Sequence, residues 1–145
     1  MLYFAFGSNL DVAQMRARCP QAQIVGTAVV RDWALCFTGY SAIRGGAVAS
    51  LRRRPGSETP GLVYSLTTFD LYRLDGFEGC PRVYARRMLN VKLTTSARGF
   101  SAIAYLNNDT NDGMCGRAYL NQIQSAYDRF GFDNQPLQLA TWGLT

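Results

Sequence analysis

The sequence predicts an α+β fold with a mostly antiparallel sheet that closes into a small barrel or curls strongly. Two observations support this prediction. About six or seven short apolar runs have the alternation of strands, and three further segments place apolar residues at helical spacing. Strands that short loops connect pair as antiparallel neighbours. So many strands in 145 residues favour a barrel or a strongly curled sheet, and residues 1–145 are expected to form a single domain.

Short turns separate the predicted strands, because glycine, proline and polar pairs interrupt the apolar runs. The pair Arg31 and Asp32 predicts one turn, and the pair Pro55 and Gly56 predicts another. The strands predicted on this basis are residues 2–6, 23–30, 33–40, 47–52, 61–66, 83–93 and 100–106.

The first predicted helix covers residues 11–18, with Ser8 or Asn9 as its N-terminal cap. The last covers residues 117–130, where apolar side chains recur every four positions.

A helix between them is predicted to begin at Thr67, with Asp70 in its first turn. Pro81 disfavours helical geometry at Cys80, so this helix should end near Glu78. An acidic side chain is therefore expected where the helix stops.

The sequence contains no histidine, and this limits the chemistry that one chain can perform. Ser-His-Asp and Cys-His catalysis both depend on a histidine base. Acid–base chemistry near neutral pH would need a carboxylate, a tyrosine, a lysine or a cysteine.

Four widely spaced cysteines, none in a C-x-x-C pair, do not favour a zinc site, and we expect neither a metal nor another cofactor. No apolar stretch reaches the roughly 18 residues that a bilayer crossing requires, and no signal peptide is evident. We therefore expect a cytoplasmic protein with free thiols and no membrane partner. The sequence leaves the oligomeric state open.

The net charge is +5, and its densest cluster is Arg52, Arg53 and Arg54. Such a cluster is compatible with a nucleic-acid surface or with a solvated turn before Pro55. No aromatic residues alternate with basic ones, as a platform for single strands would require. The turn is therefore favoured, and no nucleic-acid partner is expected.

The loop at Gly7, Ser8 and Asn9 follows an apolar strand and precedes a helix. Free backbone N–H groups at such a junction can hold a carboxylate, a phosphate or a carbonyl oxygen that gains charge. An ordinary strand-to-helix turn is the alternative. Without a histidine to activate it, Ser8 is interpreted as a hydrogen-bonding residue and not as a nucleophile.

Glu78 is the leading candidate for a catalytic carboxylate. It lies between Phe77 and Gly79, where a carboxylate can be partly desolvated, and desolvation raises a carboxyl pKa toward neutral pH. A solvated acid at a helix end is the alternative. Asp75 competes with it and is interpreted as a helix-end or surface residue.

Two motifs occur in a fixed order. Residues 3–10 read Tyr-Phe-Ala-Phe-Gly-Ser-Asn-Leu, and residues 74–79 read Leu-Asp-Gly-Phe-Glu-Gly, with Tyr84 and Arg86 beyond. They resemble the Y-F-A-Y-G-S-N-L signature and the L-D-x-x-E-G…Y-x-R signature of the gamma-glutamylcyclotransferase-like family, also called the AIG2-like or BtrG-like fold. The resemblance spans most of residues 1–130.

The resemblance implies a small mixed, mostly antiparallel β-barrel flanked by helices. It also implies an enzyme that cyclises a γ-glutamyl group to 5-oxoproline and releases an amine or amino acid. It implies that Glu78 takes a proton from the α-amino group of the substrate and returns it to the leaving nitrogen. The partner would be a small γ-glutamyl molecule. The substrate-binding residues implied in this way are Tyr3, Phe6, Gly7, Ser8, Asn9, Tyr105 and Tyr119.

Two positions depart from the family pattern. Phe6 replaces a tyrosine, so one hydroxyl is missing, and residues 114–117 replace a Pro-Ser segment before Tyr119. Three alternatives stay open: an enzyme that removes an acyl group from a larger biosynthetic intermediate, a non-catalytic small-molecule-binding relative, and a basic nucleic-acid binder.

Overall fold

Five strands close into a barrel within residues 1–96 and 98–145, which the computed structural model describes. The strands are β1 (Leu2–Ala5), β2 (Gln23–Ser41), β3 (Gly46–Ser65), β4 (Tyr84–Leu93) and β5 (Gly99–Asn107). Their order around the barrel is β1-β3-β2-β4-β5. The pairing of β1 with β5 is parallel and the other pairings are antiparallel. The predicted mixed, mostly antiparallel barrel is confirmed.

The predicted strand count of six or seven is wrong, because two predicted turns are bulges inside long strands. Two predicted strands merge into β2 and two into β3. Asp32 adopts a φ of 65° within β2, and its carboxylate accepts a hydrogen bond from the N–H of Gly56 at 2.9 Å. Pro55 and Gly56 lie within β3 beside this irregularity. A bulge bends a strand without ending it, so β2 and β3 form one long curved ribbon.

The described helices are α1 (Val12–Arg18), α2 (Thr68–Glu78), α3 (Arg117–Phe130) and α4 (Gln135–Thr141). Within the described residues, no helix is long and apolar enough to span a bilayer. The predicted helix at residues 117–130 is confirmed as α3, and its side chains that recur every four positions are buried: Tyr119, Ile123 and Tyr127. The short α4 was not predicted, and it packs on β2 with Leu137 and Ala140 buried.

The predicted cap of α1 is wrong. Asp11 is the N-cap, because its carboxylate accepts hydrogen bonds from the N–H groups of Ala13 and Gln14 at 3.1 and 3.3 Å. Ser8 and Asn9 instead lie in a 3₁₀ turn, Ser8–Leu10, that joins β1 to α1. Their side chains are therefore available for contacts other than capping the helix.

The helix α2 has the ends that the sequence predicts. Thr67 and Asp70 form a reciprocal capping box, with the Thr67 hydroxyl 3.0 Å from the Asp70 N–H. At the other end Gly79 adopts the left-handed conformation with φ of 63°, which ends the helix directly after Glu78. Both ends are fixed locally, so the position of Glu78 follows from the sequence of the helix.

The interpretation of Arg52 to Arg54 as a solvated turn is wrong, because these residues lie within β3. Arg52 pairs with Asp112 at 2.9 Å and donates to the carbonyl of Thr145 at 3.0 Å. Arg54 donates to the carbonyl of Leu144 at 2.5 Å. Two of the three arginines thus attach the C-terminal residues to the barrel.

Gly61→Ala is expected to destabilise the fold by about 1–3 kcal/mol, the usual cost of overpacking. A Cβ at this position of β3 would overlap the carbonyl of Ala5 and would lie 2.5 Å from the Phe4 ring. Gly76→Ala in α2 is the matched control, since a Cβ there meets nothing within 4 Å and helix propensity improves by up to about 1 kcal/mol. Urea unfolding measures both, and equal midpoints for the two variants would contradict this explanation.

Candidate active site

All eight predicted site residues line one small cavity of about 40 Å³ near the junction of β1 and α1. They are Tyr3, Phe6, Gly7, Ser8, Asn9, Glu78, Tyr105 and Tyr119. Ser8, Glu78 and Tyr119 also line a larger open cavity of about 640 Å³. The two cavities therefore share lining residues and lie next to each other.

Several elements of the fold contribute to this site. Strand β1 carries Tyr3, the 3₁₀ turn carries Asn9, and Glu78 is the last residue of α2. Tyr105 lies on β5 opposite β1, and Tyr119 lies in the first turn of α3. Residues far apart in sequence meet because the barrel closes through the pairing of β1 with β5.

The Asn9 side chain joins the loop to the candidate catalytic acid. Its amide nitrogen donates to the Tyr3 hydroxyl at 3.0 Å and to Oε1 of Glu78 at 3.3 Å. Its amide oxygen accepts from Gln14 at 3.0 Å and from Arg18 at 3.3 Å. Asn9 is 3% exposed, and this network fixes the orientation of its amide.

Burial raises the pKa of Glu78 from its ordinary value of 4.5 to about 6, although the nearby guanidinium groups of Arg18 and Arg44 act in the opposite direction. The side chain is 16% exposed, and Oε1 lies 4.0 Å from the Arg18 guanidinium. A carboxylate with this pKa is ionised at neutral pH and basic enough to accept a proton.

Asp75, three residues earlier on α2, has the opposite surroundings. Partial burial raises its pKa, but hydrogen bonds from the Arg86 guanidinium and the Tyr105 hydroxyl outweigh this and hold the pKa below its ordinary value. The Tyr105 hydroxyl lies 2.5 Å from Oδ1 of Asp75. Asp75 is therefore a paired structural anion, and Tyr105 presents its ring to the cavity while its hydroxyl is occupied.

Two further tyrosines meet at the backbone of Ala49. The Tyr119 hydroxyl accepts a hydrogen bond from the Ala49 N–H at 2.9 Å, and the Tyr84 hydroxyl lies 3.1 Å from the Ala49 carbonyl. Tyr84 lines both cavities and was not predicted as a site residue. Its position in the second sequence motif could have identified it as a site residue.

The replaced segment before α3 follows the ribbon of β2 and β3. The N–H of Gly39 donates to the carbonyl of Asn111 at 2.9 Å, and the N–H of Ala47 donates to the carbonyl of Met114 at 2.8 Å. These backbone contacts keep the start of α3 beside the barrel. Tyr119 consequently lies in the cavity despite the departure from the family motif.

The loop at Gly7 is tightly packed against β3. A Cβ at Gly7 would lie 3.0 Å from Cβ of Ala49 and 3.5 Å from the Tyr119 hydroxyl. Among the described residues, no hydrogen-bond acceptor is found for the N–H groups of Gly7, Ser8 and Asn9. The loop can therefore offer backbone donors to a ligand.

The described residues contain no group of three acidic or cysteine side chains placed to hold a metal ion. Phe6 is buried against Phe4, with ring centroids 6.3 Å apart, and adds only apolar surface to the small cavity.

The sequence pattern of the family described as gamma-glutamyl cyclotransferase, AIG2-like, matches residues 3–125. The chain belongs to this family. The gamma-glutamylcyclotransferase of Bos taurus is 34% identical over 82 residues, which cover 54% of this chain and 44% of that protein. The Mus musculus gamma-glutamylcyclotransferase is 30% identical over 99 residues, covering 65% and 52% respectively. The matches thus span about half the length of these curated relatives.

A solved structure titled gamma-glutamyl cyclotransferase superposes on this chain with a TM-score of 0.88. The sequences are 24% identical, and the match covers 96% of this chain and 85% of that one. At this identity the likeness concerns the gamma-glutamyl cyclotransferase fold. It extends over the barrel and its helices.

Glu78→Gln is expected to stabilise the protein at pH 8 by about 2 kcal/mol and to change little at pH 4. The folded-state pKa of about 6 lies above the ordinary 4.5, so the unfolded chain releases this proton first. The free energy of unfolding of the parent protein therefore falls as the pH rises between these values. Urea unfolding at both pH values measures the difference.

Glu58→Gln is the control, because Glu58 is 53% exposed and pairs with Arg31 at the surface. It should change stability by less than about 1 kcal/mol at pH 8. A stabilisation by Glu78→Gln that is equal at both pH values would contradict the assigned pKa.

Proposed function

We propose that this protein is an enzyme that cyclises the γ-glutamyl group of a γ-glutamyl amine or amino acid to 5-oxoproline and releases the amine. The observation that carries the proposal is the buried Glu78 carboxylate, with a raised pKa, next to a loop with free N–H groups. Membership of the gamma-glutamyl cyclotransferase family supports it.

The small cavity would hold the reacting part of the glutamyl group. Its lining is aromatic on several sides, with Tyr3 and Tyr105 in edge contact at 5.8 Å between ring centroids. Burial and the Glu78 carboxylate raise the pKa of Tyr3 well above its ordinary range, so its hydroxyl stays protonated. Since that hydroxyl already accepts from Asn9, its own proton is available to a substrate oxygen.

Glu78 would act first as a base and then as an acid. Its carboxylate takes a proton from the α-ammonium group of the substrate, and the neutral amine attacks the γ-carbonyl carbon. A bond forms between the α-nitrogen and this carbon, and the bond to the leaving nitrogen breaks. Glu78 returns this proton to the leaving nitrogen as that bond breaks. It then accepts the second proton, which the ring nitrogen must lose, and passes it to the released amine, so the carboxylate is regenerated. The reaction consumes no water and needs no nucleophilic side chain.

The oxygen of the γ-carbonyl gains negative charge as the ring closes. The N–H groups of Gly7 and Ser8 are oriented by the loop before the reaction begins, and preorganised donors of this kind stabilise an oxyanion. The tight packing of Gly7 against Ala49 supports this role, because it restricts the position of the loop. The larger cavity next to Glu78 would receive the leaving amine.

Glu78→Gln is expected to lower 5-oxoproline formation by about 100- to 10,000-fold, the usual contribution of a general acid–base residue. The amide preserves shape and removes the base. The measurement is release of 5-oxoproline from a panel of γ-glutamyl amines and γ-glutamyl amino acids.

Glu58→Gln should leave this activity unchanged, because Glu58 lies in a surface ion pair outside both cavities. Undiminished turnover by Glu78→Gln would refute the mechanism. Binding of these compounds by the parent protein without any 5-oxoproline would instead favour a non-catalytic binding protein.

The pH dependence of kcat/KM is expected to have an acid limb near pH 6, since only ionised Glu78 accepts the proton. Arg18→Ala should move this limb to higher pH, because Arg18 is the charge that most lowers the pKa of Glu78. Initial rates at low substrate concentration across pH 5 to 8 measure the shift. A limb that stays in place or moves to lower pH would show that another group titrates.

A further inference from the structure

Arg44 is a cation in the larger cavity that has no carboxylate partner in the described part of the chain. It lies between β2 and β3 and lines the same cavity as Glu78. Ion pairs within the described residues involve four arginines and do not include it: Arg18, Arg31, Arg52 and Arg86. Its charge therefore has no anion in direct contact.

Neutral groups hold the Arg44 guanidinium in place. Its NH1 donates to Oε1 of Gln122 at 3.2 Å, and its NH2 donates to Oε1 of Gln14 at 3.0 Å and to Oγ of Ser8 at 3.4 Å. The guanidinium carbon lies 5.3 Å from the centre of the Tyr119 ring. The cation is thus oriented by α1, α3 and the loop before any ligand arrives.

The nearby carboxylate of Asp11 does not contact the Arg44 guanidinium directly. Asp11 accepts from the Gln122 amide at 3.0 Å, so it is connected to the Arg44 network through that side chain. The other oxygen of Asp11 caps α1. A guanidinium held by neutral acceptors retains a strong preference for a carboxylate, because a charge-assisted pair is about twice as strong as a neutral hydrogen bond.

Under the proposed function, on which this inference rests, the γ-glutamyl group of the substrate brings its α-carboxylate to this region. Its α-carboxylate is bonded to the same carbon as the α-amino nitrogen, so the two groups are on the order of 3 Å apart. With the amine at Glu78, the carboxylate falls within the cavity that Glu78, Ser8 and Arg44 line together. The contact between Arg44 and Ser8 places the cation beside the binding loop.

We propose that Arg44 binds the α-carboxylate of the γ-glutamyl group and makes the site selective for substrates in which this carboxylate is free. Arg82 also lines the larger cavity but is exposed and belongs to the segment after α2. When the leaving group is an amino acid, its own carboxylate would point toward the open part of the cavity and would contact groups other than Arg44.

Binding of 5-oxoproline and of its amide, 5-oxoprolinamide, tests the proposal by calorimetry without requiring turnover. The parent protein should prefer 5-oxoproline. Arg44→Ala should weaken 5-oxoproline binding by about 10- to 100-fold, as expected for a charged hydrogen bond, and leave 5-oxoprolinamide binding within about 3-fold. Arg44→Lys keeps the charge without the planar fork of donors, so its affinity for 5-oxoproline should lie between those of the parent protein and Arg44→Ala.

Arg16→Ala is the matched control, because it removes the same charge from an exposed position of α1 outside both cavities. It should change neither ligand's affinity. Equal weakening of both ligands by Arg44→Ala would show a merely structural role, and no preference for 5-oxoproline in the parent protein would also overturn the proposal.

A kinetic comparison separates the two carboxylates. With γ-glutamylglycine and γ-glutamylmethylamine, which differ in the leaving-group carboxylate, Arg44→Ala should raise KM by about 10- to 100-fold for both and change kcat little. An effect confined to γ-glutamylglycine would overturn the assignment. If the parent protein forms no 5-oxoproline from these two compounds or from the wider panel, the proposed function fails, while the calorimetric result still decides whether Arg44 recognises the carboxylate.

Discussion

The side chain of Asn9 is the contact on which the geometry of the site depends. It forms hydrogen bonds with Tyr3 of β1, Glu78 of α2 and Arg18 of α1. The backbone carbonyl of Asn9 also accepts a hydrogen bond from the Tyr64 hydroxyl of β3 at 2.8 Å. A buried amide has a fixed number of donors and acceptors, and an unmet one costs about 1–3 kcal/mol. Displacement of any element that contacts Asn9 would therefore cost free energy. As a consequence, the loop at Gly7 and the Glu78 carboxylate are held together.

The two carboxylates near the end of α2 show how one helix supplies two different acids. Asp75 is held by Arg86 and by the Tyr105 hydroxyl, whereas Glu78 receives one neutral donor and lies 4.0 Å from a cation. Direct hydrogen bonds to the charged form outweigh burial at Asp75, and burial dominates at Glu78. The paired Asp75 attaches α2 to β4 and β5, which keeps Glu78, three residues later, at the cavity.

The sequence correctly predicted those features of the fold that depend on interactions between neighbouring residues. The capping box at Thr67 and the left-handed Gly79 fix α2, so the end at Glu78 could be read from a few neighbouring residues. Asp32 had the character of a turn residue, but tertiary pairing with β3 made it a bulge, and no local pattern distinguishes the two. The short α4 gave no periodic signal of useful length. The hydroxyl of Tyr105 and the guanidinium of Arg44 take their partners from distant elements, so their roles required the folded chain.

The charges around Glu78 also connect recognition with chemistry. Burial raises the pKa of Glu78, and the Arg18 and Arg44 cations lower it, so the value of about 6 is a balance of opposing effects. If a substrate carboxylate pairs with Arg44, one of the two cations becomes neutralised while the substrate also displaces water from the cavity. Both changes favour the protonated form of Glu78. The α-ammonium group of the substrate acts in the opposite direction, because its charge favours ionised Glu78. Under the proposed function, neutralisation of Arg44 and loss of water would offset this effect and keep Glu78 basic enough to take the proton, whereas in the free site the carboxylate is already ionised.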